Sequence, residues 1–173
     1  MARIKLTDIE RLMLANQYEI LSLLKKEGSY ARVAEELREG HEWLYSQSFD
    51  YFSPNMPESD AEHVVTILGI FSDLRDSYAQ LADKSGIEPH QVQFSGFDGN
   101  NESDLLCFSR ALRKSDRFVE TISEHGKNSH MPTTDTYRRM IAKWRELGEP
   151  HYPYDKETML AILAARVHPE NRK

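Results

Sequence analysis

The chain has a single cysteine, Cys107, in 173 residues, so it can form no internal disulfide and a reducing compartment is its expected home. Long apolar runs are also missing. The longest uncharged one, Val64 to Ser72, falls far short of the roughly 20 residues a bilayer-spanning helix needs. The opening Met1-Ala-Arg-Ile-Lys-Leu-Thr-Asp8 has no apolar core or small-residue cleavage site, so no secretory signal is expected. No membrane role and a cytoplasmic location follow as expectations. Positive charge is in deficit, with 22 Lys and Arg against 28 Asp and Glu and a net charge of -6, which disfavours nucleic acid as the main partner. A local basic strip of Arg110, Arg113, Lys114 and Arg117 is interrupted by Asp104, Asp116 and Glu120, and reads as a solvated helix face.

Catalytic signatures are scarce as well. There is no Gly-x-Ser-x-Gly elbow and no His-Glu-x-x-His pair, and the segment Phe94 to Asp104 lacks the lysine and glycine spacing of a phosphate loop. The seven histidines, His41, His63, His90, His125, His130, His151 and His168, are scattered, so no metal or other cofactor is implied. Cys107 follows two leucines inside a helical pattern and reads as a buried, inert thiol, while His41 on an apolar stripe reads as a core histidine.

What the chain does have is apolar periodicity near 3.6, with strict alternation confined to Val92-Gln93-Phe94. The expected fold is all-α: one domain over residues 1–173 with about six main helices, three long loops, and frayed ends near 1–6 and 168–173. Thr7-Asp8-Ile9-Glu10 is a capping box that opens the first helix, and Gly28 is its expected stop. Ser29 then caps a helix with the stripe Tyr30, Val33, Ala34, Leu37, His41, Leu44 and Tyr45. Ser59-Asp60-Ala61-Glu62 repeats the capping box and opens the longest helix, with Val64, Ile67, Leu68, Phe71, Leu74, Tyr78 and Leu81 on its buried face. Further helices are expected from Asn101 to Lys114, after Pro132 up to Gly148, and after a cap at Asp155. The long connections, near 47–58, 85–100 and 116–131, reach or exceed the roughly 12 residues beyond which loops are uncommon, and point to functional or internally packed segments.

The first helix concentrates the apolar side chains Ile9, Leu12, Met13, Ile20 and Leu23 in one arc, with Asn16 inside the arc, Gln17 at its edge and Tyr18 nearly opposite. A buried, unpaired amide costs on the order of 1–3 kcal/mol, so Asn16 is expected to hold a loop, a water or a ligand. A helix apolar on more than one side also suits a subunit contact. Trp43, Tyr45, Phe49, Tyr51 and Phe52 add the aromatic density common at interfaces, so a homo-oligomer is expected.

Four motifs, Leu12-Met-Leu-Ala-Asn16-Gln17-Tyr18, Phe94-Ser-Gly96-Phe97-Asp98, His125-Gly126-Lys-Asn128 with Pro132, and Tyr137-Arg-Arg139-Met140 with Trp144, together resemble the YfbU family of bacterial proteins from about Thr7 to Ala165. The resemblance implies a mostly helical cytoplasmic domain of unassigned function, found in some relatives behind a helix-turn-helix and suggested there to sense a ligand. Only six residues precede Thr7, where the likeness begins, so a direct transcriptional role is not expected. The expected function is a non-enzymatic ligand-binding or regulatory module, with a candidate pocket of Asn16, Gln17, Tyr18, Asp98, His125 and Asn128 for a small molecule. One alternative is a structural, protein-interacting homo-oligomer without such a ligand. Another is a metal-dependent hydrolase using His125, His130 and an aspartate.

Overall fold

A computed structural model describes residues 5–50, 52–168 and 170, and the structural statements below concern those residues. Much of the expected fraying at the two ends, and Tyr51, lie outside them. The fold is all-α, with helices α1 (Asp8–Lys25), α2 (Gly28–Glu39), α3 (Glu42–Ser46), α4 (Glu58–Gln80), α5 (Ser103–Lys114), α6 (Thr134–Glu146) and α7 (Lys156–Ala164), and a 3-10 turn at Gln47–Phe49. The alternating Val92-Gln93-Phe94 lies in turns rather than a strand, and the β-type pairing among the described residues is one isolated bridge between Phe97 and Asn128. Contacts group the chain into two compact units, residues 1–55 and 56–173.

In the first unit the capping box forms as expected, with the Glu10 amide donating to Thr7 Oγ1 at 3.3 Å and the Thr7 amide donating to Glu10 Oε2 at 2.7 Å. The stop differs. Only Lys26 and Glu27 separate α1 from α2, so the chain must reverse at Lys26, which takes the left-handed conformation (φ 57°) while Gly28 begins α2. Gly40 ends α2 in the same conformation (φ 77°) and splits the stripe predicted for one helix, so α3 restarts beyond it. His41 sits at this break, exposed and 3.2 Å from the Glu39 carboxylate, and not in the core as expected.

The small core here is Ala15, Val33, Leu37 and Tyr45, backed by Leu14, Tyr18 and Phe49, with the Tyr18 and Tyr30 rings 6.1 Å apart. Helix α1 therefore meets α2 through the Ala15 and Tyr18 side, where a small residue lets the backbones approach. The wider apolar arc expected to be buried faces solvent instead, and Asn16 is exposed with it. The α2 stripe can cover only one face of α1, and the narrower face fits it.

The second unit is built around α4, whose Val64, Ile67, Leu68, Ile70, Phe71 and Leu74 are fully or almost fully buried. Glu58 begins α4 without a side-chain cap, so the expected box at Ser59 does not form. Phe71, Phe94, Phe97 and Tyr137 pack as a ring cluster with centroids 5.5 to 5.7 Å apart. Two of these rings come from the connection between α4 and α5, so the long segment is anchored by its own aromatics, and Ile122 anchors the next connection in the same way.

Charged side chains tie the remaining segments down. Arg110 Nε donates to the His125 carbonyl at 2.9 Å and Arg113 Nε to the Ile122 carbonyl at 3.2 Å, so half of the basic strip braces a loop and is not simply solvated. Arg139 donates to the Ala165 and Arg166 carbonyls, satisfying the end of α7, whose start is capped by Asp155 accepting from the Thr158 amide at 2.8 Å. Cys107 is exposed on α5, because the buried face of that helix runs through Leu106, Ser109 and Leu112. No helix among the described residues is long and apolar enough to cross a membrane.

Candidate functional site

The site begins with a turn that only glycine can make. Gly96 has φ +96°, and a Cβ there would lie 2.0 Å from the Lys127 carbonyl oxygen. The chain closes on itself at this point: the Phe97 amide donates to the Lys127 carbonyl at 3.2 Å and the Ser129 amide to the Phe97 carbonyl at 3.1 Å. Asn128 Oδ1 accepts from the Gly99 and His130 amides, and Asp98 accepts from the Asn100 amide and the Asn101 side chain. Asp98 and Asn128 are thus brought together as internal braces.

These braces aim Glu102 at the start of α6. Its carboxylate accepts from the amides of Thr133 and Thr134 (2.8 and 2.7 Å) and from the Asp98 amide (2.8 Å), capping a helix distant in sequence. The Thr133 hydroxyl lies 3.0 Å from Glu102 and 2.9 Å from the Gly96 carbonyl, and can donate to one at a time. Burial alone would raise the pKa of Glu102, but the bonds from Thr134, Asp98 and Thr133 outweigh it and hold the carboxyl below its ordinary value. The Tyr137 hydroxyl donates to Gly96 at 2.8 Å, and burial pushes its pKa up to about 12.

The start of α4, the start of α5 and one face of α6 enclose a cleft of about 680 Å³, lined among others by Asp60, His63, Glu102, Asp104, Arg138 and Arg145. His63 packs its ring 6.5 Å from Phe97, and its Nε2 is buried with no hydrogen-bond partner among the described residues. Burial first, and the Arg138 charge second, lower its pKa against the opposing pull of Asp60 and Glu102, so the ring is neutral at pH 7. A buried, unpartnered nitrogen costs on the order of 1–3 kcal/mol. The cleft therefore carries two guanidinium groups on α6 and acidic groups on α4 and α5, and one of its lining residues, His63, buries an unpartnered nitrogen.

None of the six residues expected to form a pocket lines this cleft. Asn16, Gln17 and Tyr18 belong to the first unit, where Asn16 and Gln17 are exposed and Asn16 Oδ1 accepts from Arg38 at 3.2 Å. Asp98, His125 and Asn128 belong to the second unit. His125 is exposed and offers its carbonyl to Arg110. No group of three or more His, Cys, Asp or Glu side chains among the described residues is placed to hold a metal ion. No motif in the chain singles out His63, Glu102, Arg138 and Arg145 as a group. Arg138 and Arg145 are seven apart and His63 follows Ser59 by one turn, so a helical wheel could have put each pair on one face, but no local signal links the helices.

Comparison with known proteins agrees with the likeness read from the motifs. The family described as the YfbU domain matches residues 4–165. A UPF0304 protein of Methanocaldococcus jannaschii is 33% identical over 167 residues, spanning 92% of this chain and 99% of its own length. UPF0304 proteins of Pasteurella multocida and Histophilus somni are 32% and 31% identical, over 81% and 82% of this chain and 87% and 88% of their own lengths. With two of its motifs accounted for as the Gly96 closure and the Arg139 clamp on α7, the chain belongs to the YfbU family.

Proposed function

We propose that this protein is a non-enzymatic binding module for a small zwitterion, a molecule carrying both a carboxylate and an amine, in the cleft between α4, α5 and α6. The observation that carries the reading is a cleft that holds charges of both signs, with Arg138 and Arg145 on α6 facing acidic groups of α4 and α5. Arg138 and Arg145 suit a carboxylate, and Asp60, Glu62 and Asp104 suit an amine. A volume of about 680 Å³ falls within the range of small-molecule sites, about 300–1,000 Å³. Binding without turnover is favoured because His63 Nε2 has no hydrogen-bond partner among the described residues, and so no hydroxyl to activate. Asp98 and Asn128 serve the site indirectly, by holding the loop that positions Glu102.

Thermal-shift and calorimetric titration with free amino acids, short peptides, simple carboxylates and simple amines tests the reading. A zwitterion at about 100 times its Kd should stabilise the protein by roughly 2.7 kcal/mol, whereas carboxylates or amines alone should give much less. Arg145→Gln, on the exposed side of α6, should weaken binding without changing the melting temperature of the free protein. Absence of any shift across the panel at millimolar concentration would remove the proposal.

A further inference from the structure

The exposed arc of α1 is the largest apolar feature that the first unit leaves uncovered. Ile9, Leu12, Met13, Ile20, Leu23 and Leu24 are between 55 and 74% exposed, although they share one side of a regular helix. Scattered single apolar residues on a surface are ordinary, but six in one stripe are not. Together they present on the order of 700 Å² per copy, above the roughly 300–600 Å² of a typical monomer's largest apolar patch and near the roughly 800 Å² per partner of a standard interface.

The order of residues along the stripe says what fits it. Ile9 and Leu23 lie seven positions either side of Asn16, and Leu12 and Ile20 lie four positions either side. A stripe that reads nearly the same from both ends is self-complementary under a two-fold axis through its middle, which is the requirement of an isologous contact. Charge sets the direction. Asp8 and Glu10 occupy the first turn of α1, and Lys25 and Lys26 occupy its end. An antiparallel pair brings acidic starts to basic ends and aligns the helix dipoles favourably, whereas a parallel pair stacks like on like. A single polar residue at the centre of an apolar seam fixes register, and exposed Asn16 holds that place.

We infer that the chain forms a homodimer through α1, whose stripe of Ile9, Leu12, Met13, Ile20, Leu23 and Leu24 packs antiparallel on the same stripe of a second copy, with Asn16 beside the two-fold axis. The contact belongs to residues 1–55 and the cleft to residues 56–173, so either conclusion survives the failure of the other. It also explains why α1 spends its narrower face on α2.

Sedimentation equilibrium of the full chain at tens of micromolar should return twice the 20.1 kDa chain mass. The double variant Leu12→Glu, Ile20→Glu should return the single-chain mass with unchanged far-ultraviolet circular dichroism, since both side chains are exposed. For direction, a Cys107→Ser background with Asn16→Cys should cross-link to itself on mild oxidation. Ile9→Cys should not self-link, but should link when mixed with Leu23→Cys. A monomeric wild-type mass overturns the inference, as does an oligomer that persists in the double variant. Self-linking by Ile9→Cys without linking to Leu23→Cys overturns the antiparallel arrangement.

Discussion

The carboxylate of Glu102 accepts backbone N–H groups from Asp98, Thr133 and Thr134 and so fastens the Gly96 loop to the start of α6. Glu102→Gln keeps the shape but turns a donor toward those amides, and should cost about 2–3 kcal/mol in urea unfolding at pH 7. The sign of the pH dependence follows from the lowered pKa. The unfolded chain takes up this proton first, so the stabilisation is fully present above the ordinary value of 4.5 and is lost as pH falls through the folded-state value. The glutamine variant should therefore show a shallower loss of stability below pH 4.5 than the wild type; equal slopes would show that Glu102 is not a cap. His63 acts in the opposite sense, as a buried base with an orphaned nitrogen. His63→Leu should raise stability by about 1 kcal/mol at pH 7, read as a melting shift of roughly 2–4 °C. Its advantage should grow as pH drops below 6.5, because the lowered pKa of His63 makes the unfolded state the first to protonate.

At the scale of elements, the periodic pattern located all of the longer helices, and the capping residues Thr7 and Asp155 marked true starts. The misread boundaries around α2 share a cause. Left-handed caps at Lys26 and Gly40 depend on where the next helix must go, and that is decided by α1 packing on α2 rather than by the local sequence. Glycines need the same distinction between local and tertiary demands. Gly96→Ala would drive a Cβ to 2.0 Å from a backbone oxygen of Lys127, and neither partner can swing away. Gly126→Ala would meet the Arg110 side chain at 2.6 Å, a chain that can move, at φ +75°. The first substitution should cost about 4 kcal/mol or more or prevent folding, the second about 1–2 kcal/mol. Similar melting temperatures for the two variants would argue against the close approach at Gly96.

For the whole molecule, the larger hydrophobic core lies entirely within residues 56–173, and the core of residues 1–55 consists of Ala15, Val33, Leu37 and Tyr45 with a few supporting side chains. Small cores bury too little apolar surface to offset chain entropy. A fragment of residues 56–173 should therefore melt cooperatively and retain near-ultraviolet circular dichroism, whereas residues 1–55 alone should gain helicity as their concentration rises. A non-cooperative melt of the larger fragment would show that its core needs the rest of the chain. The apolar arc on α1 was plain in the sequence, but its role was inverted: the Tyr18 side became the core and the Leu12 side became surface.

The sequence by itself determined the helical class, the family and the buried face of α4, because periodicity, caps and motif order are local properties of the chain. Tertiary structure alone decided which face of α1 would be covered, that Glu102 would cap α6, and that His63 would share a cleft with Arg138 and Arg145. Those outcomes depend on segments tens of residues apart meeting through packing, and a side chain's partners across such a distance are fixed by geometry that no local pattern encodes.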